Sequence, residues 1–444
     1  MYKNGRRMSI SEIYDIYLQY PVVVTDTRKL KQGDFFFALK GPNFNANTFA
    51  FKAIAAGAAY CVVDEPLTTI ATYYDGNNEA QKEAALAKMI VVEDVLTTLQ
   101  ALAGHHRSTF DIPFIAITGS NGKTTTKELV YAVLASHFKT YTTQGNLNNH
   151  IGVPLTILSI QKDAQMAVIE MGANHQKEIE GYCVYTRPTH GIISNCGKAH
   201  LEGFGGEEGV KKGKGELYSF LRGHNGTAFV YTGYDYLVEM SAGIQNIVPY
   251  VNGSIQSSEP FLTVEANIDN NNTTVASQLV GSYNLPNILC ALTIGKHFGV
   301  PEQKMIAAIE NYAPSNSRSQ LITKGTNTII LDAYNANPSS MKVAIENFEK
   351  LAGNHKIVLL GAMMELGEHA AAEHLALLQL IANCHFAHVV LVGKDFAALQ
   401  TQMPQFIYLQ NAAEAKAWLE KQNPTHAQLL IKGSRSMQME TVIA

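Results

Sequence analysis

The residues best suited to chemistry are gathered in one nonapeptide, Thr118-Gly-Ser-Asn-Gly-Lys-Thr-Thr-Thr126. Gly119 and Gly122 remove side chains where backbone N–H groups must come close to phosphate oxygens, and Lys123 adds a cation beside them. Ser120, Asn121, Thr124 and Thr125 complete a small polar loop, with the Thr124 hydroxyl suited to Mg²⁺. Before the loop, Phe114-Ile-Ala-Ile-Thr118 is an apolar run of the buried parallel-strand kind. After it, Leu129, Val130, Val133 and Leu134 have the spacing of a helix packed on a sheet. Strand, loop and helix together predict a nucleotide phosphate cradle. A plain turn would account for the glycines but not for Gly-Lys-Thr-Thr-Thr. Only two residues separate Gly119 from Gly122, fewer than in the general P-loop, and no Asn-Lys-x-Asp guanine motif occurs, which argues against a GTPase.

A second candidate is Glu170, which closes the apolar run Met166 to Glu170. Ligands bind at strand ends in open parallel sheets, and a carboxylate there suits a hard cation such as Mg²⁺. The bland alternative is an ordinary surface acid. His200, one of 15 histidines, follows another short apolar stretch. Lys214 lies with Lys211 and Lys212, which on their own read as a solvated basic helix start.

These residues need a scaffold. Short strands at 22–25, 35–39 and 60–63, a helix at 48–57 and a helix at 95–106 predict a small α/β domain over residues 1–106. Within it Asp75-Gly-Asn-Asn78 and the Ala/Glu/Lys stretch behind it read as a solvated excursion. Residues 107–113 read as a polar linker. A central P-loop mononucleotide-binding domain with a mostly parallel sheet is expected over 107–314, because strands at 166–170 and 191–194 alternate with helices. A C-terminal Rossmann-like domain over 315–444 is predicted from strands at 327–332, 356–360 and 388–392. The fold class is α/β in three domains. Ser9 or Ser11 should cap the first helix, and residues 1–7 are expected to be a disordered extension or an upstream start ahead of Met8.

The whole-chain numbers narrow the function. With 444 residues, 16% charged side chains and a net charge of -4, the chain is an ordinary multidomain globular protein. No Lys/Arg run interleaved with aromatics tracks a phosphate backbone, so nucleic acid is not an expected partner. Five cysteines, far apart and never in a Cys-x-x-Cys pair, frame neither disulfides nor a zinc site. No apolar run is long enough to span a bilayer and no signal core follows Arg6-Arg7. The expectation is a cytoplasmic protein without membrane insertion.

The phosphate loop is similar to the ATP loop of the Mur ligases, and the resemblance continues in family order. It runs through Gly145-Asn-Leu-Asn-Asn-His-Ile-Gly-Val-Pro154, Val168-Ile-Glu-Met-Gly-Ala-Asn-His175, Asn195-Cys-Gly-Lys-Ala-His-Leu-Glu-Gly-Phe204 and Lys212-Gly-Lys-Gly-Glu-Leu217. It ends in Asp332-Ala-Tyr-Asn-Ala-Asn-Pro338 and Lys432-Gly-Ser-Arg435. The last two point within the family to the step that adds D-alanyl-D-alanine. No Asp-Asn-Pro-Arg, which marks the sibling adding a single amino acid to a dipeptide nucleotide, is present.

The resemblance implies an ATP-dependent amide-bond ligase of peptidoglycan synthesis. It would join D-Ala-D-Ala to UDP-MurNAc-tripeptide through an acyl phosphate and a tetrahedral intermediate, acting as a monomer. It implies ATP and two Mg²⁺ ions held by Thr124, Glu170, His200 and Lys214, with Lys123 on the phosphates. An ammonium about 4 Å from Mg²⁺ would be repelled by roughly 2 kcal/mol even in water. In related ligases the lysine matching Lys214 is carbamylated, and the same modification is expected here. Asn284 and Asn287 would reach adenine, although Tyr283 replaces the family histidine and both asparagines could instead cap a helix. Arg318 would meet phosphate and Asp332 ribose as the C-terminal domain closes. In the first domain Thr27, Arg28 and Lys40 match positions near the UDP group, and Asn47 adds a contact, although Asn45-Ala-Asn47 departs from the family's Asp-Gly-His. Asn146, Asn148 and Asn149 are implied for the sugar and peptide, and Asn335 and Asn337 for the incoming dipeptide. Ala362 stands where the family often has Asp. Two other readings remain, a P-loop kinase or transporter ATPase and a catalytically silent partner subunit of the same fold. The lone Trp418 is expected to report closure.

Overall fold

A computed structural model describes residues 2–3, 6–315 and 317–444. The chain forms two compact units that interleave in sequence: Met1–Ile115, Lys139–Met171 and Glu180–Thr189 make one, and Ala116–Phe138, Gly172–Ile179 and His190–Ala444 the other.

In the first unit Phe35–Phe37 is buried at every position, as expected of a parallel strand covered on both faces. Its sheet runs Arg6–Arg7, Tyr2–Lys3, Met89–Val91, Tyr60–Val63, Phe35–Phe37, Val23–Val24. The last four strands are parallel. Tyr2–Lys3 joins antiparallel with Tyr2 opposite Val91, so backbone pairing along the open edge of Met89–Val91 replaces the expected disordered extension. Met1, Asn4 and Gly5 of that extension lie outside the described residues. One face of the sheet packs Phe36, Cys61, Val63 and Met89 against Ala50, Phe51 and Ala53. Ser9 caps helix Ile10–Gln19 in a reciprocal box with Glu12. The excursion after Asn78 is helix Glu79–Leu86, whose Ala85 is buried in the same core, so one of its faces is packed rather than solvated.

The segment read as a polar linker is anchored. Arg107, buried at the end of helix Val95–Arg107, donates to the carbonyls of Phe110, Thr186 and Arg187 at 2.7, 2.9 and 3.1 Å. Its guanidinium lies 3.8 Å from the centre of the Phe114 ring. Burial pulls its pKa down to about 10. The same unit holds the parallel pair Thr140–Thr142 and Met166–Glu170, with helix Gly152–Leu158 packed on Val95–Arg107.

In the second unit His190–Ile193, Thr227–Val230 and Asn246–Pro249 are parallel. His190 is enclosed by the rings of Phe229, His297 and Phe298. Next comes an antiparallel meander, Gly253–Ser257, Thr263–Ile268 and Asn271–Ala276, in which Val264, Ala266 and Ile268 alternate inward. The polar run Asn270-Asn-Asn-Thr-Thr hid it from the sequence reading.

The final sheet runs Gln320–Lys324, Asn327–Asp332, Gln428–Lys432, Lys356–Gly361, His388–Val392, Ile407–Leu409. It is parallel except at its first pair. Asp332 and Lys432 are register partners at the carboxyl ends of neighbouring strands, where such sheets bind ligands. Trp418 packs edge-on to His388, at the opposite end of this sheet, so it is poorly placed to sense events at Asp332. No helix among the described residues is long and apolar enough to cross a membrane.

Candidate active site

The phosphate loop joins strand Phe114–Thr118 to helix Lys123–Ala135. Gly119 has φ 143°, and a Cβ there would lie 2.1 Å from Ser194 Oγ. Gly122 has φ 77°, and its Cβ would meet the Asn287 amide at 3.0 Å. Backbone conformation and neighbours both demand glycine. Asn195 braces the loop: its Oδ1 accepts the Asn121 N–H at 3.0 Å, its Nδ2 donates to the Asn121 carbonyl at 3.0 Å, and its carbonyl accepts Ser120 N–H at 2.8 Å. Ser120 Oγ donates to the Gly197 carbonyl at 2.9 Å. Lys123 Nζ donates to the carbonyls of Gly119 and Ser120 at 2.7 and 3.1 Å, which folds the cation over its own loop. Thr124 is buried and Thr125 half-buried in the first helical turn, where backbone N–H groups have no partner within the helix.

Behind the loop, Thr126 Oγ1 donates to Asn287 Oδ1 at 3.0 Å, Asn287 Nδ2 to Asn284 Oδ1 at 2.8 Å, and Asn284 Nδ2 to the Val280 carbonyl at 2.9 Å. The two asparagines therefore bind each other and the loop helix, and neither side chain caps helix Leu285–His297. Tyr283 OH and Ser319 Oγ are 2.9 Å apart.

Lys214 sits on helix Glu207–Gly223 and is fully buried, unlike Lys211, which pairs with exposed Glu208. The solvated-helix alternative therefore fails for Lys214. Its Nζ donates to the Ala173 carbonyl at 2.9 Å and lies 4.8 Å from the centre of the Phe204 ring. Burial, with the charge of Lys123 adding to it, pulls its pKa down to about 7, which favours the neutral amine. His200 has φ 52°, and its Nδ1 lies 2.5 Å from Glu365 Oε2. The contact holds the Glu365 carboxyl below the usual range.

Glu170 belongs to the first unit. It is 1% exposed at the end of Met166–Glu170, and its Oε1 accepts from Asn148 Nδ2 at 2.7 Å. Asn149 Oδ1 accepts the N–H groups of Ile151 and Gly152, and Asn146 is exposed. Arg28 is exposed and pairs with Asp26 beside Thr27. Lys40 pairs with Glu65 at 2.8 Å. Asn47 is fully buried, and its amide is held by Asn45 and Asp64.

In the C-terminal segment the Arg318 guanidinium stacks 3.6 Å from the centre of the Tyr334 ring. Asp332 Oδ1 accepts Ser319 N–H at 3.0 Å. Asn335 Oδ1 accepts the next residue's N–H at 2.9 Å. Asn337 Nδ2 donates to Asn121 Oδ1 at 2.7 Å. Three residues of this site were not anticipated individually: Glu365, Ser339, whose Oγ accepts Lys198 N–H at 2.8 Å, and Lys432. A lone lysine closing the apolar strand Gln428–Lys432 was the available signal for the last.

Among the described residues no three His, Cys, Asp or Glu side chains converge to hold a metal. The expected Mg²⁺ donors Thr124, Glu170, His200 and Lys214 include one imidazole and one amine, which leaves the set short of hard oxygen. A carboxylate on buried Lys214 would add hard oxygen to the donors of the second unit.

Comparison with known proteins agrees with the loop. Residues 117–295 match the Mur ligase middle domain and residues 317–435 the Mur ligase, glutamate ligase domain. The chain is 32% identical to the UDP-N-acetylmuramoyl-tripeptide–D-alanyl-D-alanine ligase of Bacillus subtilis (strain 168), over 95% of this chain and 92% of the relative. It is 32% identical to the ligase of the same name from Escherichia coli (strain K12), again over 95% and 92%. A crystal structure of MurF from Acinetobacter baumannii superimposes with TM-score 0.86 at 28% identity, covering 99% of this chain and 98% of that one.

Proposed function

The chain belongs to the Mur ligase family, and on that premise we infer that it joins D-alanyl-D-alanine to UDP-N-acetylmuramoyl-tripeptide at the expense of ATP. The observation that carries the reading is coverage. Ligases of that activity match 95% of the chain, where an enzyme sharing only a phosphate loop would match a fraction.

The tripeptide carboxylate attacks the γ-phosphorus, giving ADP and an acyl phosphate. The dipeptide amine then adds to the acyl carbon, and the tetrahedral intermediate expels inorganic phosphate to leave the amide. Two anions have to meet in the first step, so the chain must supply positive charge and fixed donors. Lys123 swings from its own carbonyls to the phosphates, where the first-turn N–H groups of helix Lys123–Ala135 already point. When bound, Mg²⁺ neutralises charge on the phosphate oxygens, and Thr124, Glu170, His200 and carboxylated Lys214 are the residues that would hold two ions. Burial favours the neutral amine that reacts with CO₂, which supports carboxylation of Lys214.

The remaining assignments follow the same reading. Asn284 and Asn287 serve the adenine side, Arg318 phosphate and Asp332 ribose. Asn146, Asn148 and Asn149 take the sugar and peptide, Thr27, Arg28 and Lys40 the UDP group, and Asn335 the dipeptide. Residues 1–106, 107–314 and 315–444 divide these tasks in a cytoplasmic monomer.

The test is coupled ADP release. Turnover that requires both UDP-MurNAc-tripeptide and D-Ala-D-Ala supports the ligase. ADP formed without the dipeptide would point to a kinase, turnover with a dipeptide nucleotide and a single amino acid to the sibling ligase, and no turnover to a silent subunit.

A further inference from the structure

Both ends of the Asn337 side chain are committed. Its Oδ1 accepts Ser340 N–H at 2.9 Å while Ser340 Oγ accepts Asn337 N–H at 3.1 Å, a reciprocal cap on helix Pro338–Lys350. Its Nδ2 reaches 216 residues back along the chain to Asn121 Oδ1. The residue is 9% exposed, which leaves little surface for a ligand.

Asn121 needs such a partner. It lies between Gly119 and Gly122, both at positive φ, so the backbone on either side resists deformation less than any other residue type would. Its main chain is held by Ser194 Oγ, which donates to its carbonyl at 2.6 Å, and by the Asn195 amide described above. Among the described residues, the side-chain oxygen is held only from the helix cap. Two further contacts keep that cap in place. Ser339 Oγ receives Lys198 N–H, and a Cβ on Gly197 would come within 2.8 Å of that oxygen, so glycine is what lets the two segments approach. Lys432 Nζ donates to Asp332 and, at 3.2 Å, to the Asn335 carbonyl, which pins the turn leading into Asn337.

We propose that Asn337 is a positioning residue of the phosphate loop, fixing Asn121 through its amide so that the loop presents a preformed cradle to the nucleotide before any dipeptide arrives. Preorganised donors hold developing phosphate charge best when they need not move. The proposal rests on the nucleotide reading of the loop given above, but it concerns binding alone and needs no turnover.

The decisive variant is Asn337→Ser. Serine still offers a capping oxygen but is too short to reach Asn121. Calorimetric titration with ADP and Mg²⁺, with no tripeptide or dipeptide present, should give a Kd raised about fivefold, the loss of one neutral hydrogen bond. The thermal midpoint should stay at the value of the unaltered chain, whereas Asn337→Ala, which also loses the cap, should lower it. Asn121→Ser should weaken ADP as well, and the Asn121→Ser/Asn337→Ser double variant should bind no worse than the weaker single variant. An unchanged ADP affinity in Asn337→Ser together with a raised KM for D-Ala-D-Ala would overturn the proposal and return Asn337 to the dipeptide. Additive losses in the double variant would also overturn it. Failure of the unaltered chain to bind ADP would overturn the nucleotide reading itself, an outcome distinct from equal affinities.

Discussion

Lys432 Nζ lies 2.5 Å from Asp332 Oδ2, and the two residues are register partners on adjacent parallel strands. The lysine is 2% exposed and the carboxylate 18%, so each is the other's main compensation for leaving water. Lys432→Met should destabilise the fold by about 3 kcal/mol, because it strands a partly buried carboxylate. Urea unfolding measures this. Asp332→Asn/Lys432→Met should recover much of the loss, and purely additive losses would contradict the pairing argument.

Lys214 should carry a carboxylate. Protein equilibrated with ¹³C-bicarbonate should show a carbamate carbon signal that is absent in Lys214→Ala. That variant should lose about 10²-fold or more in kcat and regain part of it with a short-chain carboxylate. An unmodified lysine in active, metal-loaded protein would refute the assignment.

Gly119→Ala should abolish tight nucleotide binding, since its methyl would sit 2.1 Å from Ser194 Oγ at a φ of 143°. A displacement of the loop by about 1 Å is enough to reduce kcat/KM by on the order of 10². Adding Ser194→Gly relieves the contact with Oγ but leaves the Asn195 backbone 3.0 Å from the new methyl, keeps the backbone strain and loses the Ser194 bond to the Asn121 carbonyl, so it should restore little of the rate.

The imidazole of His190 is pushed down to about 4 by burial and by His297 beside it. In the unfolded chain it titrates near the ordinary value of about 6.5. Unfolded protein therefore binds the extra proton first, and stability present above pH 6.5 is lost as pH falls toward 4. Allowing for its partial exposure, this single group contributes about 1–2 kcal/mol over that window. His190→Phe, set among Phe229 and Phe298, should flatten the acid limb relative to the unaltered chain. Parallel pH profiles for the two would exclude His190 as its source.

What could be read beforehand was local. The glycines and lysine of the phosphate loop, the strand ending at Glu170 and the strands at Tyr60–Val63 and His388–Val392 carry their own patterns of spacing and burial, and the structure has them in place. The rest depends on partners remote in sequence. Lys432 meets Asp332 across 100 residues, Asn337 meets Asn121 across 216, and nothing local to His200 points to Glu365. Nothing local to Asn47 points to Asp64, which holds both ends of its amide from outside its own motif. The meander at Thr263–Ile268 was missed because its partner strand is built from turn-forming residues.

Arg107 bears on how such a chain can be recombined. Its guanidinium reaches the carbonyls of Thr186 and Arg187, far downstream, and covers the face of Phe114. A gene fragment beginning at Pro113 would encode those acceptors and that ring without their donor. A hybrid spliced at residues 107–113 would have to inherit from one parent both the end of helix Val95–Arg107 and the turn after Thr186. The stretch that looks most like a seam is where the two sides are least free to be exchanged.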